Sequence, residues 1–214
     1  MKKTIHIVIV VLVMLTTSSC NIFDGGSKST GTEPIGGDLI EMGAVGNTFT
    51  TPINGTFEII AREGDISTLQ ATATISNPAH LSILGQIQSP NVQVNGNQVT
   101  VRERLRITSK GIQNVSQDGN KQITLVEYGA KKGDKYRVKG ERGTVERNVT
   151  RVSSEDDYFW GWMYIKTIQI EEKTNYLPGI SKVVYYANHR FGLVGVDIHF
   201  EDGSEMLMNV YSSN

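Results

Sequence analysis

The 214 residues predict an all-β protein: an antiparallel β-sandwich or open barrel-like body that closes on a C-terminal β-meander. Three observations carry this. Beyond residue 45, no long stretch repeats its apolar residues with the 3.6-residue period of an amphipathic helix, whereas period-two alternation is frequent. Glycine is abundant (22) and proline scarce (5), which suits a chain of tight turns that need positive φ. Asn95–Gly96 and Asp202–Gly203 lie between apolar runs, and such pairs are strong hairpin signals.

The chain opens differently. Lys2 and Lys3 precede a nearly unbroken apolar run from Ile5 to Leu15, and small polar residues Thr16 to Ser19 lead to Cys20, the single cysteine. A charged head, an apolar middle and a small-residue exit form the layout of a secretory signal peptide. The run is short for a membrane-crossing helix. A cysteine at the expected cleavage point, with no second cysteine to pair with, calls for another role. Residues 1–20 resemble a bacterial lipoprotein signal in the looser form of Bacteroidota-like lineages, with Thr17 where an aliphatic residue usually stands. The resemblance implies removal of residues 1–19, acylation of Cys20 (palmitate among the acyl groups), and export to a lipid-anchored place in the cell envelope. The outer membrane is the expected location.

Residues 20–45 are rich in Gly, Ser and Thr, and are expected to form a flexible tether. Residues 46–214 form the expected β-rich domain. GAKKGD at 129–134 marks either a hairpin loop or a boundary between two subdomains. Without Lys2 and Lys3 the chain carries 19 basic and 22 acidic residues, a formal charge of −3. This mild acidity argues against a nucleic-acid partner, which needs a basic footprint.

Strands are expected at 54–61 and 68–76, the second ended by Pro78. Residues 78–88 allow one short helical face. Val92 and Val94 lead through Asn95–Asn97 into the clearest strand, Val99 to Ile107. There Val99, Val101, Leu105 and Ile107 share a face with Glu103, and Arg102, Arg104 and Arg106 take the other. A loop is expected at 109–120 and a strand at 121–128. Two more follow between 136 and 152, the second placed at a sheet edge because Arg147 and Arg151 share a face with Val145 and Val149. The C-terminal third supplies apolar strands at 158–170, 182–187, 191–200 and 205–211. The last three are expected to neighbour one another.

Hydrolytic and phosphate-binding motifs are absent: there is no GxSxG, no HExxH and no Gly-rich loop with its lysine. No cofactor is implied. His189 and His199, with Asp197 and Glu201 nearby, are a weak metal candidate, and solvent-side histidines are the simpler reading. The acidic run Glu155–Asp157 reads as a solvated turn, because a calcium loop's spaced ligands are missing. Arg102, Arg104 and Arg106 could join Lys135, Arg137 and Lys139 of a neighbouring strand in a basic patch, or form a salt-bridged face.

The candidate binding residues are aromatic. Tyr158, Trp160, Trp162 and Tyr164 fall on one parity of a single strand, and Phe159, Gly161, Met163 and Ile165 on the other. Both parities are apolar. Such a strand is covered on both faces, or uses one face as a platform. Three functions fit: a non-catalytic envelope lipoprotein that binds a partner protein or glycan near a membrane, an envelope enzyme acting on glycans or peptides, or an accessory subunit of an envelope assembly.

Overall fold

The computed structural model describes residues 31–51, 55–75, 78, 81, 91–117, 119–140, 143–173 and 179–213. The expected signal segment, Cys20 and the expected tether up to residue 30 lie outside the described residues. So does the short helix expected at 78–88, apart from residues 78 and 81.

The described chain is all-β and antiparallel. In chain order it forms β1 (Thr48–Thr50), β2 (Gly55–Glu63), β3 (Ile66–Thr74), β4 (Val92–Asn95), β5 (Gln98–Thr108), β6 (Gly111–Val115) and β7 (Gln122–Glu127). Then come β8 (Lys135–Gly140) and β9 (Gly143–Val152), and the short pair β10 (Tyr158–Trp160) and β11 (Met163–Ile165). The last are β12 (Ile168–Lys173), β13 (Ile180–Asn188), β14 (Gly192–Phe200), β15 (Glu205–Asn209) and β16 (Tyr211–Ser212).

One sheet runs β16-β1-β2-β3-β5-β6-β7, with β4 also on β5, and it curls as a half-barrel. The second runs β15-β14-β13-β12-β9-β8, so the C-terminal meander is present as β13, β14 and β15. One cluster of buried side chains draws on both sheets, from Ile59, Val101 and Ile123 to Ile170, Tyr185 and Ile198. Burying these apolar faces against each other supplies the main driving force for folding.

β5 shows how sequence pattern becomes architecture. Val99, Val101, Glu103, Leu105 and Ile107 are buried while Arg102 is exposed, as period-two alternation demands, but the pattern ends at Leu105: Arg106, expected on the open face, is buried because Asp65, Gln113 and Gln122 meet its guanidinium. It pairs with β4 through the expected Asn95–Gly96 turn, where Gly96 has φ 61°. At the C-terminal end, Gly203 serves the turn between β14 and β15 with φ 82°.

Five expectations need correction. First, from residue 31 onward the supposed tether is bound to the first sheet. Thr124 N and Oγ1 donate to Gly31 O at 2.8 and 2.9 Å, and Ile35 N donates to Gln113 Oε1 at 3.0 Å. Leu39 bridges Thr108, and residues Glu41–Gly43 form one 3-10 turn. Second, the loop expected at 109–120 contains β6, and all five of its residues are buried. A Cβ on Gly111 would collide with the Val126 carbonyl, so glycine here permits close approach of two strands.

Third, β9 lies between β8 and β12 rather than at an edge. Its Arg147 is fully buried, because the opposite sheet supplies partners for the guanidinium. Fourth, residues 158–170 form a hairpin followed by β12, not one strand. Fifth, the closing strand divides. β15 belongs to the second sheet, and after Val210 the chain crosses to the first, where β16 pairs β1.

Candidate functional site

The aromatic residues do not share one strand face. A two-residue turn, Gly161–Trp162, folds β10 back on β11, and Gly161 supplies φ 63°. The register sets Tyr158 opposite Ile165, Phe159 opposite Tyr164, and Trp160 opposite Met163. Opposite residues of a hairpin share a face, so Tyr158, Trp160, Met163 and Ile165 turn inward and Phe159 and Tyr164 turn outward. The predicted set is thereby divided. Tyr158 and Trp160 hold the hairpin down, while Tyr164 is outward-facing and Trp162 is at the tip.

The inner face is fixed by aromatic contacts and hydrogen bonds. Tyr158 stacks on Tyr186 with centroids 4.7 Å apart, and its hydroxyl donates to Asn209 Oδ1 at 2.7 Å. The hydroxyl lies directly over Gly195 of β14, and a Cβ at that position would collide with it. Trp160 packs against Phe191 (4.6 Å) and Tyr211 (5.3 Å), and its indole N–H donates to Val210 O at 2.9 Å. Gly161 N donates to the Tyr211 hydroxyl at 3.3 Å. Burial, with Tyr186, Tyr211 and Asp197 adding negative potential, pushes the Tyr158 hydroxyl far above its ordinary pKa and keeps it a neutral donor.

The outer face is open. Trp162 is 84% exposed, Tyr164 62% and Phe159 56%. The Phe159 and Tyr164 rings are 5.3 Å apart at an interplanar angle of 57°. They make an angular ridge rather than a flat floor. Beside the hairpin, Asp157 accepts from Ser153 Oγ at 2.8 Å and is ion-paired with Arg151, while Glu155 and Asp156 are exposed.

The histidines are placed differently from the sequence expectation. His189 is in the exposed turn after β13, at the far end of β14 from His199. His199 lies between two carboxylates: Nε2 is 3.2 Å from Asp197 Oδ2, and Nδ1 is 2.8 Å from Glu205 Oε1. Their ligand atoms lie within 4.8 Å of one another, so Asp197, His199 and Glu205 are a group that could meet a cation. As placed, the carboxylates address opposite ring nitrogens and bracket the imidazole instead of converging on one point. Glu201, expected nearby, is in the exposed turn. Partial burial raises the Asp197 pKa, against the opposing effect of His199.

The basic patch is not assembled. β5 and β8 belong to different sheets. Arg102 donates to Gln70 at 2.9 Å, Arg104 pairs with Glu63 at 3.4 Å, and Arg106 pairs with Asp65 at 2.6 Å. Lys135 and Arg137 both approach Glu146 at 3.6 Å. The arginine face is salt-bridged, as its alternative reading proposed.

A further polar cluster escaped the sequence reading. Arg147 reaches from the second sheet into the first. Its Nε donates to Glu172 Oε2 at 2.6 Å, and Nη1 donates to Asn114 Oδ1 (3.0 Å) and Thr124 O (3.1 Å). Tyr185 donates to the same Glu172 oxygen at 3.4 Å. Burial pushes the nearby Glu103 carboxyl well above the usual carboxylate range, despite the opposing pull of Arg147 and Asn114. The one sequence hint was an arginine set among alternating valines in β9. These groups are sealed inside the body and tie its two sheets, so they offer no surface to a ligand.

A scan of protein-family models finds no match to the chain, and searches of curated proteins and of solved structures find none either.

Proposed function

We propose that this chain is a non-catalytic, lipid-anchored module of a bacterial cell envelope. It holds a partner protein near the membrane by its aromatic hairpin. The carrying observation is the division of that hairpin: one face is locked to four strands, and the other presents Phe159, Trp162 and Tyr164 to solvent. Rigid aromatic anchors gain large contact area at low entropic cost and dominate protein interfaces.

The angular Phe159–Tyr164 ridge favours a partner with a complementary pocket over a sugar ring stacked on a flat floor. The acidic run Glu155–Asp157 beside the hairpin disfavours its insertion into an anionic bilayer. Anchorage through acyl chains on Cys20 accords with the signal at residues 1–20.

Site-specific photo-crosslinking tests the interface. A benzoylphenylalanine at position 162 is expected to give one discrete protein adduct in cells, and one at the exposed Lys132 none. The purified partner should then bind Trp162→Ala at least tenfold more weakly, in line with a central aromatic hot spot. Adducts to glycan alone, or an unchanged affinity, reject the protein-binding reading. Metabolic labelling with a palmitate analogue tests the anchor separately: label should be lost in Cys20→Ala, and the protein released from membranes.

A further inference from the structure

The second sheet ends in two unlike edges. β8 closes one side and β15 the other, and among the described residues no strand pairs with the outer side of either. β8 bears Lys135 and Arg137, both exposed. Charged side chains on an edge discourage pairing with another chain. β15 has no such guard. Glu205–Asn209 includes no lysine, arginine or proline, and its register with β14 runs without a bulge. Leu207, at its centre, is 53% exposed.

Only half of the β15 main chain is engaged. Val210 N donates to Val194 O at 2.9 Å, and Phe200 N donates to Ser204 O at 2.8 Å. These two bonds fix the alternation of the ladder. Met206 and Met208 turn their N–H and C=O groups towards β14, and Glu205, Leu207 and Asn209 turn theirs outward. The outward groups meet no protein partner among the described residues. A side-chain donor is open beside them. Asn209 Oδ1 accepts from the Tyr158 hydroxyl at 2.7 Å, while Nδ2 has no hydrogen-bond partner among the described residues.

We propose that two copies of this chain pair along β15, antiparallel about Leu207, so that the second sheet of one copy continues into that of the other. The strand is self-complementary in this register. Leu207 faces its own counterpart on the two-fold axis, and Glu205 of each copy faces Asn209 of the other. The three outward residues of each strand then exchange about six main-chain hydrogen bonds. The two Glu205 carboxylates stay apart, and each meets an Asn209 amide that has a donor to spare. The two exposed Leu207 side chains cover each other. Because β8 is guarded, the pairing closes at two copies instead of running on as a fibre. So short an edge makes a small interface, and the dimer is weak and concentration-dependent. It does not use Phe159, Trp162 or Tyr164, and so stands apart from the partner proposed for the hairpin.

Sedimentation of the full chain carrying Cys20→Ala, at concentrations up to about 1 mM, tests this. A monomer–dimer equilibrium is expected. Leu207→Lys sets two ammonium groups against each other on the axis and should weaken the dimer at least tenfold. Leu207 is exposed, so the fold should tolerate the change, and a circular dichroism melt checks that it does. Cysteine cross-linking then reads the register. In the same Cys20→Ala chain, Leu207→Cys brings two thiols face to face, with Cα atoms about 5.5 Å apart, inside the range a disulfide spans. It should give a cross-linked dimer on mild oxidation. Glu201→Cys, in the exposed turn before β15, lies far from the axis and should give none. The proposal is overturned if the chain stays monomeric at every concentration, if Leu207→Lys dimerises as tightly as the parent, or if Glu201→Cys cross-links as readily as Leu207→Cys. Should Leu207→Lys unfold, the two cysteine variants decide alone.

Discussion

The indole nitrogen of Trp160 donates to the carbonyl oxygen of Val210 at 2.9 Å, at the residue where the chain leaves one sheet for the other. A side chain expected to meet a ligand is therefore fastening the crossover. Trp160→Phe keeps most of the ring area and removes the donor. It should destabilise the fold by about 1–2 kcal/mol, the cost of an unmet, partly buried carbonyl. Trp162→Phe, at the exposed tip, should stay within about 0.5 kcal/mol of the parent. Urea unfolding of the two variants side by side checks this. Equal losses would mean that Val210 does not depend on the indole.

Gly195 and Tyr158 form a second fastening. Gly195→Ala places a methyl where the Tyr158 hydroxyl rests, so the hairpin must lift or the strand must shift. Overpacking of this kind costs about 1–3 kcal/mol. Tyr158→Phe removes the obstructing oxygen along with its bond to Asn209. The double variant should therefore lose less than the sum of the two single losses. Thermal unfolding across the four proteins measures that coupling; strict additivity would show that the two residues do not press on each other.

Arg147 and Glu172 are fully buried, and their 2.6 Å contact sits in a cluster shared by both sheets. Arg147→Met should cost about 3–5 kcal/mol, because it leaves Glu172 charged, buried and without its cation. Pairing it with Glu172→Leu should recover much of that loss, since two apolar residues can replace a buried ion pair. Denaturant midpoints of the three variants decide the matter. A small loss in Arg147→Met would imply that water reaches Glu172.

Glu103 gives the fold a defined pH response. Burial raises its folded pKa above the unfolded value of about 4.3. The folded state thus holds this proton more firmly than the unfolded state. The resulting contribution to stability is fully present below the unfolded pKa and is lost as pH rises through the raised folded pKa. Glu103→Gln keeps the shape and cannot ionise. Its stability relative to the parent should be least favourable near pH 4 and increase towards pH 8. A difference that is flat with pH would show that Glu103 titrates normally in the folded protein.

The parts of this fold legible in the sequence were those in which one face meets the core and the other meets water. β5 and the β13–β15 meander announce themselves by alternation and by glycine turns. β6 was missed because Gln113 and Asn114 look like loop residues. They are buried because Gln113 binds Glu33, Ile35, Arg106 and Thr124, and Asn114 accepts from Arg147. β9 was misplaced for the same reason: an arginine suggests an edge until a distant Glu172 and Asn114 are found waiting for it. In the aromatic segment, the apolar alternation runs through Gly161 without a break. Alternation cannot reveal that the chain reverses there, and the reversal decides which rings are anchors and which are free.

The pairing of β1 with β16 has a consequence in time. Phe49 and Thr50 line up with Ser212 and Tyr211, so an early strand waits for one synthesised some 160 residues later. Translation proceeds at about 5–20 residues per second, so the first sheet keeps an open edge for roughly ten to thirty seconds of synthesis. An exposed strand edge invites association with other chains. If the chain is exported as proposed, the cell would profit from keeping it unfolded until Tyr211 has crossed the membrane. The crossover at Val210 would then act as the latch that closes last.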